Sequence, residues 1–158
     1  MKLPSPLTCL MAVCFSASCF AQDPLPTFDQ VRQQYAKSRD LTRVSFLYRR
    51  CAALQLNVSA LLVRKKQNKA AADYENLAQH YMLMSEVVDR EIDLYQRTKI
   101  DKPSETVSLA VKHLSEVYAQ RMKENKMKRG EYFANDSALE SEMTECLKPE
   151  TLAKSLGR

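Results

Sequence analysis

The sequence predicts an all-α fold: an antiparallel bundle of four to five helices held by one disulfide. Three observations predict it. Apolar residues recur at steps of three and four through most of the chain, as on one face of a helix. The 158 residues include only 2 glycines and no convincing run of alternating apolar and polar residues, which argues against an all-β fold, a Rossmann unit and a P-loop nucleotidase. Cys51 and Cys146 remain as an even pair once an export signal is removed.

Residues 1–21 read as that signal. Lys2 supplies the basic start, Leu7–Phe20 runs uncharged and largely apolar, and Ala21 is the small residue before Gln22 and Asp23. The apolar run is shorter than the roughly 20 residues a bilayer-spanning helix needs, so no transmembrane span is expected. Ser16-Ala17-Ser18-Cys19 partly matches a lipoprotein cleavage box, but Ser16 stands where a branched apolar residue is usual. Cleavage after Ala21 is therefore preferred to lipid attachment at Cys19. The expected location is the periplasm or the cell exterior, with residues 22–158 forming one domain. The formal net charge of +5 falls by one with Lys2, a mild excess that carries no nucleic-acid signature.

Cleavage removes Cys9, Cys14 and Cys19. In an oxidising compartment Cys51 and Cys146 then form one disulfide. Closing so long a loop is worth on the order of 4–5 kcal/mol in the chain-entropy model. A nucleophilic or redox thiol is the weaker alternative, since there is no Cys-x-x-Cys and neither cysteine has a histidine near it in sequence.

The helices follow in order. A capping box, Thr27-x-x-Gln30, opens the first over 27–37, with Phe28, Val31 and Tyr35 at helical spacing. The second, 41–66, places Val44, Leu47, Cys51, Leu54 and Val58 on one stripe. The third, 71–98, does the same with Leu77, Tyr81, Met84, Val88 and Ile92. Pro103, tolerated in a first turn, opens the fourth over 103–129, whose stripe is Val107, Val111, Leu114, Tyr118 and Met122 and which ends near Gly130. Asn135-Asp136-Ser137 caps the fifth, 136–147, which carries Leu139, Met143, Cys146 and Leu147 and is halted by Pro149. Short connections make sequential helices antiparallel.

Helices two and three each carry a second apolar stripe: Phe46, Ala53, Leu56, Ala60 and Val63 on one, Leu83, Val87 and Leu94 on the other. A helix apolar on two sides is buried on two sides, so both are expected to be central. Helices one and five, or a second subunit in a dimer, would cover the extra faces.

Residues that could carry chemistry are sparse. His80 and His113 are the only histidines, neither on a main stripe. No Cys-x-x-Cys-His or Glu-x-x-His motif accompanies them, so no metal or cofactor is expected. Glu86, Asp89, Glu91 and Asp93 cluster on helix three, and Glu140, Glu142 and Glu145 on helix five; the bland reading is solvated charged faces. Tyr74, Tyr81 and Tyr95 share a face and are expected to half-bury their rings with the hydroxyls at the rim. Asn57-Val58-Ser59 spells a glycan acceptor but falls inside a helix, which discounts it.

Two basic runs are the nearest thing to a binding signal: Arg64, Lys65, Lys66 and Lys69, then Arg121, Lys123, Lys126, Lys128 and Arg129. Up-down-up packing brings both to one pole, the C-terminal ends of helices two and four. An anionic partner such as an acidic protein surface or a phosphate-rich glycolipid could dock there. The competing explanation is local, because cations at helix C-termini offset the helix dipole and bond free carbonyls.

The sequence therefore reads as an exported, non-enzymatic helical protein that binds another protein: an inhibitor, an immunity-type factor, an accessory subunit or a chaperone-like module. The second stripes or the basic pole would make the contact. The alternatives are a small-ligand or cofactor-binding bundle, with His80 and His113 near a cavity, and a helical hydrolase built on the clustered carboxylates.

Overall fold

The computed structural model describes residues 25–96, 102–133 and 135–157. The expected signal at residues 1–21 lies outside the described residues. Six helices are present among the described residues: α1 (Phe28–Ser38), α2 (Leu41–Arg64), α3 (Asn68–Gln96), α4 (Pro103–Arg129), α5 (Ser137–Glu145) and α6 (Pro149–Ser155). No strand occurs among the described residues.

Local chemistry sets the helix ends. The Thr27–Gln30 capping box forms, each side chain accepting from the other residue's backbone N–H. Asp40 caps α2 by accepting from the Thr42 N–H at 2.9 Å. Pro103 stands in the first turn of α4, and Gly130, at φ 79°, ends that helix in the left-handed conformation that glycine adopts without steric cost. Asp136 caps α5 by accepting from the Leu139 N–H at 3.1 Å.

Helix α2 is the centre of the bundle. It packs against α1, α3, α4 and α5, and buries residues around most of its circumference. Ala52 and Ala53, fully buried, leave room for neighbouring backbones to come close. Leu47, Cys51 and Leu54 of α2 join Tyr81, Val88 and Ile92 of α3 and Val107, Val111 and Tyr118 of α4 in one core. The α2–α3 pair is antiparallel, with Ser45 opposite Ser85 and Asp89, and Tyr48 opposite Tyr81. Up-down-up order then leaves α2 and α4 parallel, their C-terminal ends at the same pole.

The last helices are stapled to this core. Cys51 and Cys146 form the expected disulfide, with Cα atoms 5.2 Å apart and both residues fully buried. Gln55 Nε2 donates to the Cys146 carbonyl at 2.7 Å beside it.

Four details differ from expectation. Helix α3 begins at Asn68 rather than 71, because the polar residues Asn68 and Lys69 form its first turn while Lys65–Gln67 suffice for the connection. Pro149 does not halt the chain's last helix; it opens a sixth, which buries Leu152 and places Leu156 in the core. The second stripe of α2 is covered at Phe46, Ala53 and Leu56, as a central helix requires, but Ala60 and Val63 are exposed. The second stripe of α3 is not covered at all: Leu83, Val87 and Leu94 are 60%, 63% and 81% exposed, because α1 and α5 pack on α2 instead.

Candidate functional site

The parallel run of α2 and α4 leaves a seam between them. Asn57 of α2 bridges it, its Nδ2 donating to the Ser115 carbonyl at 3.0 Å and to Ala53 at 2.9 Å. On either side of that bridge the seam opens into a hollow of about 400 Å³. Asn57 and Ala60 line both hollows, so the two adjoin along the seam as the two parts of one groove, with the Asn57 bridge between them. One hollow reaches Met82 of α3 and Ser108 of α4; the other runs to Arg64, Met127 and Tyr132 at the pole.

The groove has an apolar floor and a cationic rim. Leu56, Leu61, Val111, Ala119 and Met122 provide the floor, and Arg64, Lys112, Lys123 and Lys126 the rim. No acidic residue lines it. Small residues at 60 and 119 keep the walls low, and methionines adapt to irregular shapes.

The structure sorts the predicted basic residues into two sets. Arg64, Lys123 and Lys126 are brought together around the groove. Lys126 is also held locally, its Nζ donating to the Gly130 carbonyl and lying 5.6 Å from the Tyr132 ring centroid. Arg121 is diverted into a two-pronged pair with Asp136, Lys128 pairs with Glu124 at 3.4 Å, and Arg129 bonds the Asn135 carbonyl. Lys65, Lys66 and Lys69 are exposed in and after the α2–α3 turn, outside the groove. Local carbonyls and carboxylates thus account for much of the second run, and leave Arg64 and Lys123 as the predicted rim cations with neither an ion pair nor a carbonyl bond among the described residues.

Burial corrects the reading of the carboxylates as solvated. Asp89 is 1% exposed; it accepts from Ser45 at 2.6 Å and from Arg49 at 2.5 Å, while Ser85 bonds both Ser45 and Arg49. Glu142 is 3% exposed and holds Arg50, which is buried completely. Glu145 receives Arg32, whose guanidinium is held above its ordinary pKa mainly by that hydrogen bond. These carboxylates are claimed by arginines because a buried charge is tolerated only when paired and bonded. None of them stands beside a histidine: His80 and His113 are both exposed. Among the described residues no group of three His, Cys, Asp or Glu could hold a metal ion.

The tyrosines also differ from expectation. Tyr81 is wholly buried rather than at the rim, and its hydroxyl has no partner among the described residues. Tyr95 is 78% exposed, and only Tyr74 is half-buried. Asn57 is half-buried with its amide bonded, consistent with its discounting as a glycan acceptor.

The arginine networks were missed in the sequence although a signal existed. Arg50 falls three residues after Leu47 and four before Leu54, within the inward stripe of α2, where a charge demands a buried partner. Comparison with protein-family models, curated proteins and solved structures finds no match.

Proposed function

We propose that this chain is an exported, non-enzymatic helical protein that binds another protein through the groove between α2 and α4. The observation that carries the reading is the pairing of an apolar floor with a cationic rim that no acidic residue neutralises. Such an amphipathic, open concavity suits a macromolecular surface better than a small substrate, which needs enclosure on most sides. The pairing of Asp89 and Glu142 with arginines supports the non-enzymatic part, since carboxylates held in ion pairs are poorly placed to exchange protons with a substrate. Export is supported by the signal-like residues 1–21 and by the Cys51–Cys146 disulfide, a bond that persists in oxidising compartments.

Photocrosslinking in the cell that makes the protein tests the reading. A crosslinking amino acid at exposed Ala119, in the groove, is expected to give a discrete protein adduct that the same group at exposed Gln33 of α1 does not. No adduct at Ala119, or the same adduct from both positions, counts against it. A mature N-terminus at Gln22 in the recovered protein is the expected result for export.

A further inference from the structure

We infer that the occupant of the α2–α4 groove is an acidic amphipathic helix of the partner protein; this rests on the protein-binding reading and specifies its chemistry. Four features of the groove point to this occupant.

The first is charge. Arg64 and Lys123 offer positive charge on opposite walls, Lys112 extends it along α4, and no carboxylate lines the groove to offset them. A basic partner would be repelled, and a neutral one would leave those cations unused. The second is shape. The seam between two packed helices is the surface into which a third helix sets its ridges, and Ala60 and Ala119 let a backbone approach.

The third is length. From Ser108 to Met127 the groove follows α4 for about 28 Å at 1.5 Å per residue, the span of a helix of five turns. Its α4 lining, Ser108, Val111, Ser115, Ala119, Met122 and Lys126 among others, recurs at three- and four-residue steps, the register that i, i+3, i+4 and i+7 anchors of a docked helix match. The fourth is openness. The groove lies along the surface rather than within the bundle, so a lipid tail set in it would stay wet on one side, whereas a helix keeps its polar face in water.

The chain's own residues fit the role poorly. Residues 1–24 carry only Lys2 and Asp23 as charges. The exposed stripe of α3, Leu83 and Val87 beside Glu86, offers a second copy of this chain as the rival occupant.

The probe is a displayed library of 18-residue helical peptides with randomised surface positions, selected on the whole disulfide-bonded protein. The selected peptides are expected to be acidic, with apolar residues at helical spacing. Their affinity is expected to fall about tenfold or more on Arg64→Gln with Lys123→Gln, two exposed positions at which loss of charge is expected to lower thermal unfolding only slightly, Arg64 lying in the last turn of α2. Selected peptides that are neutral or basic, or that bind the double variant equally well, overturn the inference but leave a protein-binding function standing. Self-association in sedimentation that the double variant abolishes assigns the groove to a second copy and also overturns it. Selection of no peptide, with or without retention of the protein on phosphatidylglycerol vesicles, overturns both the inference and the reading beneath it.

Discussion

Arg50 and Glu142 meet inside the protein, 92 residues apart in sequence, with Nη2 of one donating to Oε1 of the other at 2.5 Å. Tyr118 closes the arrangement: its hydroxyl accepts from Arg50 Nε at 3.0 Å and donates to the second oxygen of Glu142. The remaining guanidinium nitrogen donates to the Pro26 carbonyl, and the Phe28 ring centroid lies 4.8 Å from the guanidinium carbon. One side chain of α2 thereby fixes the chain entering α1, the middle of α4 and the body of α5.

Because both charges are desolvated, removing one strands the other. Arg50→Met is expected to destabilise the protein by about 3–5 kcal/mol in denaturant unfolding. The double variant Arg50→Met with Glu142→Leu should recover much of that loss, since an apolar pair of similar volume avoids the uncompensated charge. A small effect of Arg50→Met alone would mean that water reaches the site.

The disulfide acts on the same segment. Helices α5 and α6 are short and come close to the rest of the bundle at few backbone positions; α5 is held largely by side chains, Arg50 of α2, Tyr118 of α4 and Arg32 of α1. Cys51→Ala with Cys146→Ala is expected to cost on the order of 4 kcal/mol, the chain-entropy estimate for a separation of 95 residues. The loss should be uneven. Hydrogen exchange is expected to speed first in α5 and α6, with α2 and α3 retaining protection, because the tether replaces contact area those short helices lack. Uniform acceleration across the bundle would show that the last helices are part of one cooperative unit without it.

How much of this was legible in the sequence depended on whether a residue's behaviour is local. Helix ends are local, so Thr27, Pro103 and Asp136 could be read directly. The Cys51–Cys146 pairing was legible because only two partners remained. The fate of α3's second stripe was not, since whether Leu83 and Val87 are covered depends on which neighbour α1 and α5 choose. The carboxylates failed for the same reason: Asp89 and Glu142 look like surface charges until Arg49 and Arg50, distant in sequence, are brought against them. Of the groove, periodicity and helix direction placed the cations at one pole; they could not say that Arg121 would turn to Asp136 while Lys123 stayed at the rim.

Tyr81 offers a test of opposite sign. Its ring is buried between helices, yet its hydroxyl bonds nothing among the described residues. An unmade hydrogen bond in an apolar setting is a cost, so Tyr81→Phe is expected to be neutral or to stabilise by up to about 1 kcal/mol. Burial, and then the nearby Tyr48, also push the Tyr81 phenol well above its ordinary pKa of 10.0. The native state therefore keeps a proton that the unfolded chain gives up near pH 10, and stability falls as pH rises beyond that point. Tyr81→Phe should blunt part of this alkaline loss, with the remainder left to Tyr118, likewise raised by burial. Unfolding free energies at pH 8 and pH 10.5 decide it, and destabilisation by Tyr81→Phe at both would mean the hydroxyl has a partner.

At the other end of the pH scale one contributing group is Asp136. It receives Arg121 Nε at 2.7 Å, Asn125 Nδ2 at 2.9 Å and the Leu139 backbone N–H at 3.1 Å, joining the end of α4 to the start of α5. Burial alone would raise its pKa, but the bond from Arg121 and then that from Asn125 outweigh burial and hold the carboxyl below its ordinary 3.8. A group whose folded pKa is depressed contributes stability that is present above the unfolded pKa and disappears as pH falls through the folded value. Asp136→Asn keeps a side chain able to cap α5 and removes the charge that Arg121 pairs with. It is expected to cost about 1 kcal/mol at pH 7, with the gap between variant and parent closing as pH drops below 3.8. Raised salt should narrow the gap at pH 7 only slightly, because the Asp136 side chain is 11% exposed and a partly buried pair is poorly screened. A gap that stays constant from pH 7 down to pH 2.5 would show that the carboxylate's charge contributes nothing and that the cap alone holds α5 in place.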